Sequence, residues 1–200
     1  MLRLLASRWL LWLFLVLIFA GGAWAGYLYL HSLPPAQLEN ISAYLLALFK
    51  QAGSGEARTG ELHRLITSNI LFTLLIYLLG VTVIAVPVLL LLLFGRGFAL
   101  GFTVGYLLEQ YPKQGFLLAI CAILPQHIFY LTGLFLAVGG AAYFSLVLTR
   151  RWFDSRQPVL PFWSGYSCLM LLVLGLNLLG GMAEVYVTPW CISLSSKLIL

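Results

Sequence analysis

The sequence predicts an all-α integral membrane protein with about five transmembrane helices and broken or re-entrant central segments. Three observations predict it. Of 200 residues, 62% are hydrophobic and only 8% are charged, a balance that soluble domains of this size do not show. The apolar residues fall in runs that reach or exceed the roughly 20 needed to cross the hydrocarbon core as a helix. The longest stretch, Gly97 to Tyr143, is cut by Tyr111-Pro112 and by Pro125-Gln126-His127. Broken helices survive at membrane depth only where protein or water re-satisfies the freed backbone groups. That stretch is therefore expected at the buried centre, and residues 1–200 read as one polytopic unit.

The first run, Trp9 to Leu30, follows Arg3 and Arg8. A positive start, an apolar middle and Ala23-Trp24-Ala25 before Gly26 have the form of a secretory signal peptide. The run nevertheless continues through Tyr27-Leu28-Tyr29-Leu30, long enough to span. An uncleaved first helix is expected, with Trp24, Tyr27 and Tyr29 in the interfacial belt. Pro34-Pro35 stops it.

Residues 31–67 are the substantial hydrophilic stretch and read as an external loop. Within it Leu38, Ile41, Leu45, Leu48 and Phe49 recur at gaps that place them on one helical face, leaving Glu39, Asn40 and Lys50 toward water. This predicts an amphipathic helix over 36–50 lying on the membrane surface. Gly53-Ser54-Gly55 reads as a flexible break, and Glu56, Arg58, Glu61, His63 and Arg64 alternate in sign as a solvated face does.

A second span is expected from Leu65 to Phe94, kinked at Pro87 and ended by Gly95-Arg96-Gly97. A third begins at Phe98, is interrupted near Glu109 to Lys113, and resumes from Gly115 to Leu124. A fourth runs from His127 to Leu148, followed by a charged loop from Arg150 to Arg156 that Pro158 and Pro161 close. The fifth covers Phe162 to Val187. With five crossings, Arg3, Arg8, Arg96, Arg150, Arg151 and Arg156 gather at helix ends on one side. Lys50, Arg58, Arg64, Lys113 and Lys197 fall on the other, mostly offset by acids. The positive-inside rule then predicts a cytoplasmic amino terminus and an external carboxyl terminus.

Chemistry-bearing patterns are sparse. There is no G-x-S-x-G, H-E-x-x-H or P-loop, and the outer loop is too short to build an enzyme fold. Cys121, Cys168 and Cys191 form no CxxC pair and read as small packing residues. No basic stripe with interleaved aromatics offers itself to nucleic acid. Catalytic, cofactor-binding and metal-ligating residues are accordingly not expected.

Ionisable groups inside a bilayer are costly and call for a functional hypothesis. Glu184, in Gly180-Gly181-Met182-Ala183-Glu184-Val185-Tyr186, reads either as a carboxylate facing a cavity or partner helix, or as a group near the interface. Gln126 and His127 are expected to bond the carbonyls that Pro125 leaves unpaired. Asn69 and Asn177 are expected to be interhelical hydrogen-bond donors. Gly97, Gly101 and Gly105, four apart, form a GxxxG-type ridge, and Gly133 adds another small face. Such faces serve packing within the bundle or self-association, and the sequence leaves both open, a homo-oligomer included.

The block GFTVGYLLEQYPKQGFLLAICAILPQHIFYLTGLFLAVGGAAYFSLVLTRRWF and the tail LLGGMAEVYVTPW, with its Glu-x-Tyr-x-Thr-Pro pattern, resemble the stage II sporulation protein M family of endospore-forming bacteria. The resemblance runs from about Ser68 onward. The wider family often carries Pro-His-Gly with a Glu three residues beyond the Gly; here Pro125-Gln126-His127 sets the His one place later and Tyr130 replaces the acid. The resemblance implies a multi-pass protein of the mother-cell membrane at the sporulation septum, required for engulfment of the forespore. It implies a scaffold for two peptidoglycan hydrolases, stage II sporulation proteins D and P, that remodel septal peptidoglycan. A second reading, from the broken helices, is a small permease with a midplane site. A third, a membrane-embedded hydrolase, requires His127 and Glu184 to meet.

Overall fold

A computed structural model describes residues 9–34, 37–38, 41, 58–82, 85–110, 115–153 and 160–187. Its regular elements are helices: α1 (Trp9–His31), α2 (Arg58–Val81), α3 (Ala85–Gln110), α4 (Gly115–Phe153) and α5 (Leu160–Met182), the last running into a π-helical turn, Ala183–Val187. Five segments are long and apolar enough to cross a membrane: Trp9–His31, Leu62–Val81, Val86–Gln110, Ile123–Thr149 and Phe162–Val187. The protein is an all-α, multi-pass membrane protein. Of the surface helix expected over 36–50, only Gln37, Leu38 and Ile41 lie within the described residues, and these are helical.

α1 starts and stops where its run of apolar residues does. At its end the Ser32 hydroxyl and amide both donate to the Tyr29 carbonyl, at 2.7 and 3.0 Å, ahead of Pro34. Trp9, Leu10, Leu13, Leu17, Trp24 and Leu28 are exposed on one side, the side for lipid. The other side carries buried Gly22 and Gly26. A Cβ on Gly22 would strike the Phe94 carbonyl, and one on Gly26 that of Phe98. From the facing helix, a Cβ on Gly97 would strike the Phe19 carbonyl, and one on Gly101 that of Ala23. The two backbones touch, as small-residue ridges permit. The ridge of Gly97, Gly101 and Gly105 is thus occupied within the chain, by α1.

The expected second span, Leu65 to Phe94, is corrected. α2 begins earlier, inside the stretch read as loop, and stops at Val81. The Thr82 amide and hydroxyl turn back onto the Leu79 carbonyl at 2.9 and 2.8 Å, and the Thr82 carbonyl accepts from buried Ser145 at 3.1 Å. These bonds satisfy backbone groups that a helix end leaves open. α3 then starts at Ala85, so Pro87 lies in a first turn, where its missing N–H has no helical partner to lose. It starts a helix and kinks none. Gly95-Arg96-Gly97, expected as a stop, lies inside α3, because Gly97 is the packing surface for α1.

The centre is corrected in the same way. Gly115 to Leu124 is not a resumed third span but the start of α4, and α4 continues through Pro125 to Phe153, taking in Arg150 and Arg151. At 39 residues it is about 58 Å long, well beyond a hydrocarbon core of about 30 Å. The expected break at Pro125 is absent, whereas the one expected at Tyr111-Pro112 falls between the end of α3 at Gln110 and the start of α4 at Gly115, on residues outside the described ones; a further departure from α-helix is the π-helical turn that ends α5.

The core occupies the half of the bundle toward Thr82. Ile76 of α2, Leu89 and Leu93 of α3, Ala137, Val138, Ala141 and Phe144 of α4, and Tyr166 and Val173 of α5 are almost wholly buried, with Leu15 of α1 joining them. The Tyr166 ring is stacked between Phe144, at 4.5 Å and 6°, and Tyr77, at 5.2 Å and 7°. Its hydroxyl donates to the Tyr77 carbonyl at 3.1 Å. Gly80 leaves room for that hydroxyl; a Cβ there would strike it.

Candidate functional site: a polar cavity among four helices

The opposite half of the bundle is built differently. Leu65, Ser68, Asn69 and Phe72 stand at positions i, i+3, i+4 and i+7 on one face of α2. His127, Tyr130, Leu131 and Leu134 repeat the same spacing on α4. Arg96 and Leu100, four apart, come from α3; Asn177 and Glu184, seven apart, come from α5 and its π-helical turn. These residues line one cavity of about 200 Å³.

Hydrogen bonds join three of the walls. The Tyr130 hydroxyl donates to Glu184 Oε2 at 2.9 Å and accepts from Asn69 Nδ2 at 3.2 Å. Asn69 Nδ2 also reaches the Asn177 carbonyl at 3.2 Å. Asn177 Nδ2 donates to Thr73 Oγ1 at 3.0 Å, and Thr73 in turn donates to the Asn69 carbonyl at 2.8 Å. Buried polar groups in a bundle need such partners, because lipid offers none. Glycines let the walls close. A Cβ on Gly180 would come within 2.7 Å of the Tyr130 ring, and one on Gly133 within 2.9 Å of Asn177 Oδ1.

Glu184 sits on the π-helical turn; π-turns recur at functional sites. The carboxylate lines the cavity. His127 and Glu184, whose meeting the sequence left open, line it together with Tyr130 between them: the Tyr130 ring stands edge-on to His127 at 6.2 Å, and its hydroxyl binds Glu184. The expectation for His127 is corrected in one respect. The carbonyl freed by Pro125 is that of Cys121, four residues back, whereas His127 Nδ1 lies 2.8 Å from the Ile123 carbonyl. Pro125 and Gln126 do not line the cavity. Among the described residues, no group of three His, Cys, Asp or Glu side chains is placed to hold a metal ion.

Two lining residues escape a reading of the sequence. Arg96 reads as a helix-end arginine because it stands between glycines, yet it lies near the middle of the Val86–Gln110 span, with its guanidinium 4.5 Å from the Phe72 ring centroid. The signal for it is its place inside an otherwise unbroken apolar run. Tyr130 reads as a substituent for an acid, but its spacing from His127 puts both on one face.

The family model described as Stage II sporulation protein M matches residues 15–189. No curated protein and no solved structure matches the chain. The match covers well over half of the sequence, and the chain belongs to that family: it is a sporulation-related multi-pass membrane protein.

Proposed function

We propose that this member of the stage II sporulation protein M family is a non-enzymatic scaffold in the mother-cell membrane at the septum. It holds a peptidoglycan-hydrolase complex, the stage II sporulation proteins D and P of the family resemblance, in place for septal remodelling and engulfment of the forespore. The observation that carries this reading is the closed core. From Ile76 and Leu89 across to Phe144 and Tyr166, the half of the bundle toward Thr82 is filled with side chains at or near zero exposure. The polar cavity therefore ends against packed apolar side chains, which suits a rigid body better than a solute path. The orientation that goes with the scaffold puts Thr82 on the cytoplasmic side and His31 and Gln110 outside, where cell-wall enzymes work.

Co-purification from detergent tests the reading. The two hydrolases are expected to be retained by the tagged full-length chain and to lose their septal position in cells lacking it. Hydrolases that stay assembled and localised without it defeat the proposal. A second reading, a small permease, draws on the intramembrane charges of the cavity. Solute flux into vesicles containing the purified chain alone supports that reading and defeats the scaffold.

A further inference from the structure

The charged residues within the five spans are Arg64, Arg96, Glu109 and Glu184. Arg64 and Glu109 stand within two residues of a span end. Arg96 lies ten residues inside its span; Glu184, three residues from the end of its own, stands on a different helix and lines the same cavity. A cation in the middle of a span is costly to insert, so one that persists there has a partner or a purpose. Among the described residues, the contact of a carboxylate with a basic side chain within 4 Å joins Glu109 to His31, an ion pair when the imidazole is protonated; the guanidinium of Arg96 lies instead over the Phe72 ring. That contact engages the guanidinium's charge and not its N–H groups, which serve as paired donors.

We infer that the cavity binds a phosphate ester, with the phosphate on Arg96. A guanidinium presents paired donors that match phosphate oxygens. Glu184 sets the rest of the ligand: a carboxylate in the same cavity repels a bare multivalent anion and favours an ester whose other substituent carries a hydroxyl or an ammonium group. Phe72, Leu100 and Leu131 supply apolar wall beside these polar groups. A volume of about 200 Å³ is below the range of about 300–1,000 Å³ typical for drug-sized ligands, so the cavity takes a headgroup and not a whole amphiphile. The chemistry is shared by a phospholipid headgroup, entering from the bilayer, and a soluble glycerol phosphate. The inference is independent of the scaffold reading, which concerns surfaces outside the cavity.

The experiment uses the delipidated full-length protein in detergent, with native mass spectrometry to count bound ligand. One arm offers phosphatidylethanolamine and phosphatidylglycerol; the other offers glycerol phosphate. One ligand per chain is expected to bind, at least tenfold more weakly in Arg96→Gln, with Arg96→Lys restoring part of the affinity. Glu184→Gln, which retains an acceptor for Tyr130, is expected to weaken the ethanolamine lipid more than the glycerol lipid. Arg96-dependent binding in the lipid arm assigns the bilayer as source, and Arg96-dependent binding in the soluble arm alone assigns the solution. Gel filtration identifies variants that fold. No stoichiometric binding to the wild-type chain in either arm, or binding that a folded Arg96→Gln retains in full, overturns the inference.

Discussion

Tyr130 and Glu184 are 54 residues apart in the chain and 2.9 Å apart in the fold, the hydroxyl of one donating to the carboxylate of the other. The bond ties the middle of α4 to the π-helical turn after α5, and Asn69 brings α2 onto the same hydroxyl. Tyr130→Phe removes one donor and one acceptor at once. Interhelical hydrogen bonds in membrane bundles are worth about 0.6 kcal/mol on average and up to about 1.7. Loss within that range is expected in reversible unfolding from mixed micelles. A double-mutant cycle with Glu184→Gln should show coupling, since the residues touch; additive effects would exclude the bond.

The glycine seam between α1 and α3 gives a sharper contrast. Gly101→Leu would drive a side chain into the Ala23 carbonyl, and backbone has nowhere to move without separating the helices. Disulfide trapping between cysteines introduced at Tyr29 and Phe98, whose rings meet across the seam at 5.6 Å and which leave its glycines untouched, is expected to fail when Gly101→Leu is also present. Gly175→Leu, at a position with open space around it, is expected to leave trapping intact.

Tyr166 fills the closed half of the bundle from between two rings. Truncating a large buried aromatic costs about 3–5 kcal/mol, cavity included. Tyr166→Ala is expected to lose that much, and Tyr166→Phe, which keeps the stack and loses the hydroxyl, far less. Equal losses would show that the hydroxyl and not the ring stack holds this region.

His31 and Glu109 join the ends of α1 and α3 at 3.0 Å, but their side chains are 52% and 44% exposed. Exposed pairs typically contribute about 0.2–1 kcal/mol and are screened by salt. Glu109→Gln is expected to shift unfolding by less than about 1 kcal/mol, with the difference vanishing in high salt. A larger, salt-insensitive loss would mean that the pair lies in a drier setting than its exposure suggests.

Sidedness has its own check. Single cysteines placed at Thr82 and at Gln110, in a chain whose native cysteines are replaced, are expected to react with an impermeant maleimide from the cytoplasmic and external faces respectively. The reverse pattern overturns the orientation.

The helix class and the first and last spans were legible in the sequence because length and hydropathy report on them directly, as for Trp9–His31 and Phe162–Val187. The fourth span, expected over His127 to Leu148, was legible too; the bounds of the second and third were not, because proline and glycine signals are ambiguous in lipid. Pro87 starts α3, Pro125 is carried inside α4, and Gly97 lies in a buried seam rather than a turn. Neighbouring helices decide which role each takes, and a single sequence does not display them. Asn69, His127, Asn177 and Glu184 stood out as rare polar groups in apolar runs. Their convergence on one cavity depends on helix rotation, and Arg96 was hidden by being assigned to a helix end.

The glycine seam also bears on how the protein is made. α1 packs along α3 and touches α4, while among the described residues it forms no comparable pair with α2. Helices enter the bilayer in order of synthesis, so α1 must wait in lipid, its glycine stripe uncovered, until two further helices have been inserted. Assembly of this bundle is therefore late and non-sequential, and a chain truncated before Ala85 leaves its first helix without the partner of its glycine stripe.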